Sequence, residues 1–166
     1  MKSICLIGFM GSGKTTIGEA VAKKLDLTFL DTDSEIEKWR EFDIPTIFET
    51  EGEGRFREYE TQVLKKLPFQ SAVIATGGGI IEKEENRKWL SEHFFVVYLQ
   101  TSFDVIQQRL DGDEGRPLWN QELEKKEKLY KERKPKYIEC ADFILNIRKQ
   151  SVSEVVDQIV SGIKQI

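Results

Sequence analysis

Short apolar runs alternate along this chain with longer segments whose apolar residues recur every three or four positions. Ile4-Cys5-Leu6-Ile7 is the first run and predicts a short buried strand. Ile17, Ala20, Val21 and Leu25 then mark one face of a helix that starts near Lys14, with Asp26 at its end. Thr28-Phe29-Leu30 predicts a second strand, and Asp31-Thr32-Asp33 sits at its carboxyl end. Helices are expected from Ser34 to Phe42, from Ile44-Pro45-Thr46 onward with Ile47 and Phe48 as apolar contacts, and from Arg55 to Leu67. Gly52-Glu53-Gly54 separates the last two, and Pro68 stops the third. Ala72-Val73-Ile74-Ala75 is a third strand that feeds into Thr76-Gly77-Gly78-Gly79. There follow a polar helix from Glu82 to Leu90, a fourth strand from Phe94 to Leu99, and a helix from Ser102 to Leu110 with Ser102 as its cap. A charged helix from Gln121 to Lys134 is expected to end at Pro135, and Phe143-Ile144-Leu145 is a fifth strand. Ser151 and Glu154 have the spacing of a capping box for the last helix, whose stripe from Val152 to Ile163 reads as core packing. This alternation predicts one α/β domain built on a parallel sheet.

The turn after the first strand changes the picture from fold to chemistry. Gly8-Phe9-Met10-Gly11-Ser12-Gly13-Lys14-Thr15 has the form G-x-x-x-x-G-K-T between a strand and a helix, the context that makes a P-loop a physical claim. Glycines let the backbone curl so that successive N–H groups converge, and the helix N-terminus adds partial positive charge. Lys14 is placed to reach the β- and γ-phosphates of a nucleotide, and the Thr15 hydroxyl to ligate Mg²⁺.

Composition narrows the partners. The 166 residues suffice for one domain with a substantial core; 39% are hydrophobic and 33% charged, as in an ordinary globular protein. The net charge of −4 and the lack of a long basic run argue against nucleic-acid or membrane-surface binding. Cys5 and Cys140 stand far apart and His93 is the single histidine, so both thiols are expected reduced in the interior rather than in a zinc site or disulfide. No signal peptide or long apolar run is visible, and a cytoplasmic protein is expected.

A P-loop alone does not separate a kinase from a GTPase or a motor. The chain has no N-K-x-D motif for a guanine base, and its third strand ends in Thr-Gly-Gly-Gly rather than Asp-Glu. Asp111 to Pro117 is polar, contains glycine and carries Arg116; it reads as a mobile loop able to bring a cation onto a transferring phosphate. That combination fits a small-molecule kinase, which must close over its substrates to exclude water. Asp31 and Asp33 lie where ligands of open α/β sheets gather. One is suited to Mg²⁺ through water and the other to a substrate hydroxyl; the alternative is a D-T-D turn that only ends a strand. Arg57, Arg109, Arg116 and Arg133 come from separate segments, and a guanidinium grips carboxylate or phosphate with two bonds.

Together these residues resemble the shikimate kinases, of the nucleoside-monophosphate-kinase-like P-loop fold. The resemblance is carried by G-F-M-G-S-G-K-T-T-I-G at Gly8 to Gly18, D-T-D at Asp31 to Asp33, I-F and E-G-E within Ile47 to Glu53, F-R-E-Y-E at Phe56 to Glu60, T-G-G-G at Thr76 to Gly79, R-P-L at Arg116 to Leu118 and R-K-P-K-Y at Arg133 to Tyr137. It implies a three-layer fold whose five-stranded parallel sheet has the order 2-3-1-4-5, with helices on both faces, an acceptor-binding region near 33–62 and a lid near 111–121. It also implies transfer of the ATP γ-phosphate to the 3-hydroxyl of shikimate, a cyclohexene carboxylate, on the route to aromatic amino acids, by a monomer with ATP and shikimate as its partners.

By this resemblance Lys14, Asp33 and Arg116 are catalytic, and Asp33 holds ring hydroxyls as the candidate base. Gly11, Ser12, Gly13, Lys14, Thr15 and Thr16 bind the nucleotide, joined by Arg116 and, near the adenine, Arg109 and Gln150. Arg57 and Arg133 grip the carboxylate against the Gly78-Gly79 backbone, Glu60 orients an arginine, and Phe48 and Phe56 touch the ring. Thr15 and Asp31 serve Mg²⁺, the latter through water. Two departures stand out: Trp119 follows R-P-L where a smaller residue is expected, and Ile147 to Val152 lacks a strong adenine motif. A kinase of the same fold acting on another acid or polyol such as gluconate, and a non-catalytic nucleotide-binding regulator, are the alternatives.

Overall fold

The computed structural model describes residues 1–110 and 123–165. Five strands form one parallel sheet in the order β2-β3-β1-β4-β5: β1 (Ile4–Ile7), β2 (Thr28–Asp31), β3 (Ala72–Ala75), β4 (Phe95–Thr101) and β5 (Phe143–Ile147). This is the expected order. The central strand β1 is buried throughout, and its alternating side chains divide the core. Ile4 and Leu6 meet Ile17 and Val21 of α1 (Lys14–Leu25) and Val155 and Ile159 of α8 (Val152–Ile163) on one face. Cys5 and Ile7 face the other layer, which includes α2 (Thr32–Arg40), α3 (Ile44–Glu51), α4 (Glu53–Lys66), α5 (Glu84–His93), α6 (Phe103–Leu110) and α7 (Leu123–Cys140). Both cysteines are buried and free of disulfides, and burial pushes both thiols up, Cys140 to about 11. Among the described residues no helix is long and apolar enough to cross a membrane.

Three local departures from the sequence pattern bear on the site. Helix α2 starts at Thr32, not Ser34, because Asp31 caps it: its Oδ1 accepts from the amides of Asp33 (2.9 Å) and Ser34 (3.2 Å). Asp33 therefore stands in the first turn of a helix rather than in an extended D-T-D segment. The expected polar helix from Glu82 is preceded by a 3-10 turn, Ile80–Glu82, and begins at Glu84. Helix α7 runs through Pro135 to Cys140 instead of ending there. Pro135 lies on the exposed side, as does Lys131, whose carbonyl loses its partner; Arg133, Tyr137 and Cys140 keep one face buried and carry the helix past the interruption.

The capping box of α8 is present in both directions: Ser151 Oγ accepts from the Glu154 amide at 3.2 Å, and the Glu154 carboxylate accepts from the Ser151 amide. Ser151→Ala should lower stability by about 1 kcal/mol. Urea denaturation checks this, and an unchanged midpoint would show that tertiary packing alone fixes the helix start.

Candidate active site

The carboxyl ends of β1, β2 and β3 point toward one cleft of about 710 Å³. The P-loop forms its floor. Gly13 is the N-cap of α1 with φ 94°, a left-handed conformation that suits glycine and turns the loop into the helix. Gly11, Ser12, Thr15 and Thr16 line the same cleft. Lys14 is buried, and its ammonium donates to the carbonyls of Gly8 (2.6 Å) and Phe9 (3.1 Å), which hold the cation against the loop. Arg109, from the last turn of α6, donates to Gly11 O at 3.1 Å and so stands at the outer edge of the P-loop. Gln150 lines the cleft too, but its side chain also closes its own turn: its oxygen accepts from the Arg148 amide and its nitrogen donates to Asn146 O.

Asp31 joins the two halves of the cleft. One oxygen caps α2; the other accepts from Thr15 Oγ1 at 3.0 Å. Thr15 therefore directs its proton to Asp31 and leaves its lone pairs for another partner. This hydroxyl–carboxylate pair is an all-oxygen donor set of the kind Mg²⁺ uses beside nucleotide phosphates. No cluster of three or more His, Cys, Asp or Glu suited to a metal occurs among the described residues, so a fully protein-built cage is not what the chain offers there.

A second group of side chains gathers around the strap that follows β3. A methyl on Gly77 would stand 2.7 Å from Asp33 Oδ1 and 2.8 Å from Glu60 Oε2, so both carboxylates converge on that position. A methyl on Gly79 would overlap the Arg57 guanidinium, and one on Gly78 would lie 3.6 Å from Arg133 Nη1. The glycines thus let two carboxylates and two guanidiniums close on one stretch of backbone. Arg57 binds Glu60 at 2.6 Å and Glu53 at 3.1 Å. Burial works against the Arg57 charge, but these two carboxylates outweigh it and raise its pKa. Burial also pushes the Glu60 carboxyl above its usual range, and Arg57 and then Arg133 pull part of that back.

Arg133 is the exceptional member. It is 1% exposed, yet none of its three guanidinium nitrogens has a hydrogen-bond partner. Its nearest carboxylate, Glu82 Oε2, stands 3.9 Å from Nε, and the Phe9 ring lies under the guanidinium at 5.7 Å. Five N–H donors in a fixed fork, buried and unused, are matched to a planar anion with two oxygens.

Asp31, Asp33, Gly78, Arg109 and Gln150 thus share the cleft with the P-loop, while Arg57, Gly79 and Arg133 adjoin it on the side of the Gly77–Gly79 strap. Phe48 and Phe56 pack on each other at 4.8 Å between ring centres. Arg116 and the segment 111–121 lie outside the described residues. Sequence reasoning gave no role to Tyr137, Glu82 or Thr32. Tyr137 donates to Gly78 O at 2.6 Å, Glu82 pairs with Lys136 at 3.0 Å, and Thr32 Oγ1 accepts from the Gly77 amide at 2.9 Å. The four-residue step from Arg133 to Tyr137 was the available signal, since it puts both on one face of a helix.

This is the fold and phosphate site of a P-loop small-molecule kinase. A family model described as shikimate kinase (SKI) matches residues 10–164. The shikimate kinase of Bacillus cereus (strain AH187) is 43% identical over 99% of this chain and 100% of its own length, and that of Burkholderia lata is 44% identical over 95% and 88%. Among solved structures, a shikimate kinase from Acinetobacter baumannii in complex with shikimate aligns with TM-score 0.96 and 39% identity, over 99% of this chain and 94% of that one. The chain belongs to the shikimate kinase family.

The crowding at Gly79 makes a direct prediction. Gly79→Ala should push the flexible end of Arg57 aside and lengthen its pairing with buried Glu60, at a cost of no more than about 1 kcal/mol. Chemical denaturation checks it; a loss of several kcal/mol would mean that the Arg57 guanidinium cannot move.

Proposed function

We propose that this chain transfers the γ-phosphoryl group of ATP to the 3-hydroxyl of shikimate, giving shikimate 3-phosphate and ADP, a step toward the aromatic amino acids. Arg133 is the observation that carries the acceptor half of this reading. A buried guanidinium without a hydrogen bond is costly unless an anion completes it, and Arg57 lies across the same strap. Membership in the shikimate kinase family supports a carboxylate acceptor with ring hydroxyls.

In this reading the P-loop amides of Gly11, Ser12 and Gly13, with Thr15 and Thr16, hold the phosphates, and Lys14 neutralises charge on the β- and γ-phosphoryl oxygens. Arg57 and Arg133 take the carboxylate, with the Gly78-Gly79 backbone along the ring. That fixes the 3-hydroxyl near Asp33, which orients it and takes its proton as its oxygen bonds to the γ-phosphorus and the bond to the β-γ bridging oxygen breaks. Thr15 and, through water, Asp31 would hold Mg²⁺, which would supply charge neutralisation on the phosphates. Arg109 and Gln150 line the nucleotide end, and the catalytic role expected of Arg116 falls outside the described residues. The acceptor region spans about 33–62 within a single domain. The proposal extends to a monomeric cytoplasmic enzyme with only small-molecule partners, in keeping with a net charge of −4 and no long basic run.

A coupled assay of ADP release tests it. Folded protein supplied with Mg²⁺ and ATP should turn over with shikimate and not with gluconate; the reverse preference, or no shikimate-dependent release, would contradict it. In the same assay Lys14→Ala should lower kcat by roughly 10²–10³, the loss typical of one donor to developing charge. Wild-type turnover in that variant would remove Lys14 from its role.

A further inference from the structure

The strap after β3 is held from outside by a row of side chains. Tyr137 Oη donates to Gly78 O at 2.6 Å, Asn86 Nδ2 to Ile80 O at 2.9 Å, and Arg87 Nη1 to Ile81 O at 2.7 Å and Glu82 O at 3.1 Å. Three of these bonds come from α5 and hold the distal part of the strap. The bond from Tyr137 is different in two respects. It reaches the peptide that lies between the two guanidiniums, and it comes from the helix that carries one of them.

Arg133 and Tyr137 are one turn apart on α7 and both are buried. A single rigid helix turn therefore sets the spacing between the Arg133 fork and the Gly78 carbonyl. Tyr137 itself is fixed by stacking on Tyr98 of β4, with ring centres 5.0 Å apart and planes at 23°. Burial raises the pKa of its phenol, which stays protonated and able to donate. The chain of contacts runs from the sheet through Tyr98 to Tyr137, and from there to the backbone against which the acceptor is read.

We propose that Tyr137 is a positioning residue for the acceptor: its hydroxyl locks the Gly78-Gly79 peptide at a set distance from Arg133, so that the strap and the two guanidiniums form one preorganised carboxylate site. This rests on the acceptor reading given above. The hydroxyl does not touch the reacting atoms. Its effect falls on acceptor affinity, through the geometry of the gap between Arg57 and Arg133; the P-loop backbone that Gly78 meets at Gly8 and Met10 is held separately by Lys14, which donates to Gly8 O and Phe9 O.

Tyr137→Phe keeps the ring and its stack and removes only the hydroxyl, and with it both the bond to Gly78 O and the interaction with the neighbouring Arg133 guanidinium. Tyr98→Phe, which alters the other ring of the stack without touching Gly78, is the control. Both are assayed for shikimate and ATP kinetics at a temperature where melting curves show them folded, and amide exchange of residues 77–82 is measured without substrates. In Tyr137→Phe the KM for shikimate should rise about tenfold, the loss of one buried hydrogen bond. Its KM for ATP should stay within twofold, and exchange at Gly78 and Gly79 should accelerate about tenfold while residues 80–82, held from α5, keep their rates. Tyr98→Phe should leave all three near wild type. A shikimate KM and an exchange rate both unchanged in Tyr137→Phe would overturn the proposal, as would equal rises in both KM values, which mark general loosening. If the unaltered protein does not phosphorylate shikimate, the functional reading falls, while the exchange rates still decide whether Tyr137 locks the strap.

Discussion

Arg133 sets the terms for much of this structure. Removing a guanidinium from water costs several kcal/mol unless charge and hydrogen bonds replace the lost solvation. Here the carboxylates of Glu82 and Glu60 supply charge and the Phe9 ring supplies a π face, but none supplies a hydrogen bond to the fork. The fold thus keeps a strong donor ready in a dry place. Such preorganisation favours binding an anion because little has to rearrange when it arrives.

The elements around it answer to the same requirement. Glycines at 77, 78 and 79 bring the backbone close enough for Asp33, Glu60, Arg57 and Arg133 to crowd one strap, where any side chain would intervene. Glu60, wholly buried, holds Arg57 at 2.6 Å, so the second guanidinium is also fixed in direction. On the opposite side of the cleft, Asp31 caps α2 and accepts from Thr15 at the start of α1. One carboxylate thus fixes the turn that places Asp33 and ties it to the P-loop.

Much of the fold was legible in the chain because apolar runs and helical periods carry it. The five strands and the capping box at Ser151 can be read directly, whereas the sheet order came from family resemblance, since periodicity does not encode which strands pair. The P-loop was legible as a string because its backbone geometry requires glycines at set spacing. The relation of Asp31 to Asp33 was not, since extended and capped conformations share the same D-T-D, and only the hydrogen bonds of Asp31 separate them. Pro135 misled for a physical reason: its damage is local to the exposed side of α7, while packing at Arg133 and Tyr137 carries the helix onward. Glu82 carried no signal, and the one-turn step from Arg133 to Tyr137 was masked by the expected helix end at Pro135; the contacts of both residues are made 54 and 59 residues away along the chain.

If Arg57 and Arg133 take the carboxylate of the acceptor as proposed, the charge of that group decides binding. Calorimetric titration of shikimate and of its uncharged methyl ester, each into the protein with Mg²⁺ and a non-hydrolysable ATP analogue, tests this most directly. The ester should bind at least about 100-fold more weakly, since losing the charge leaves buried donors unpaired. Equal affinities for the acid and the ester would contradict it.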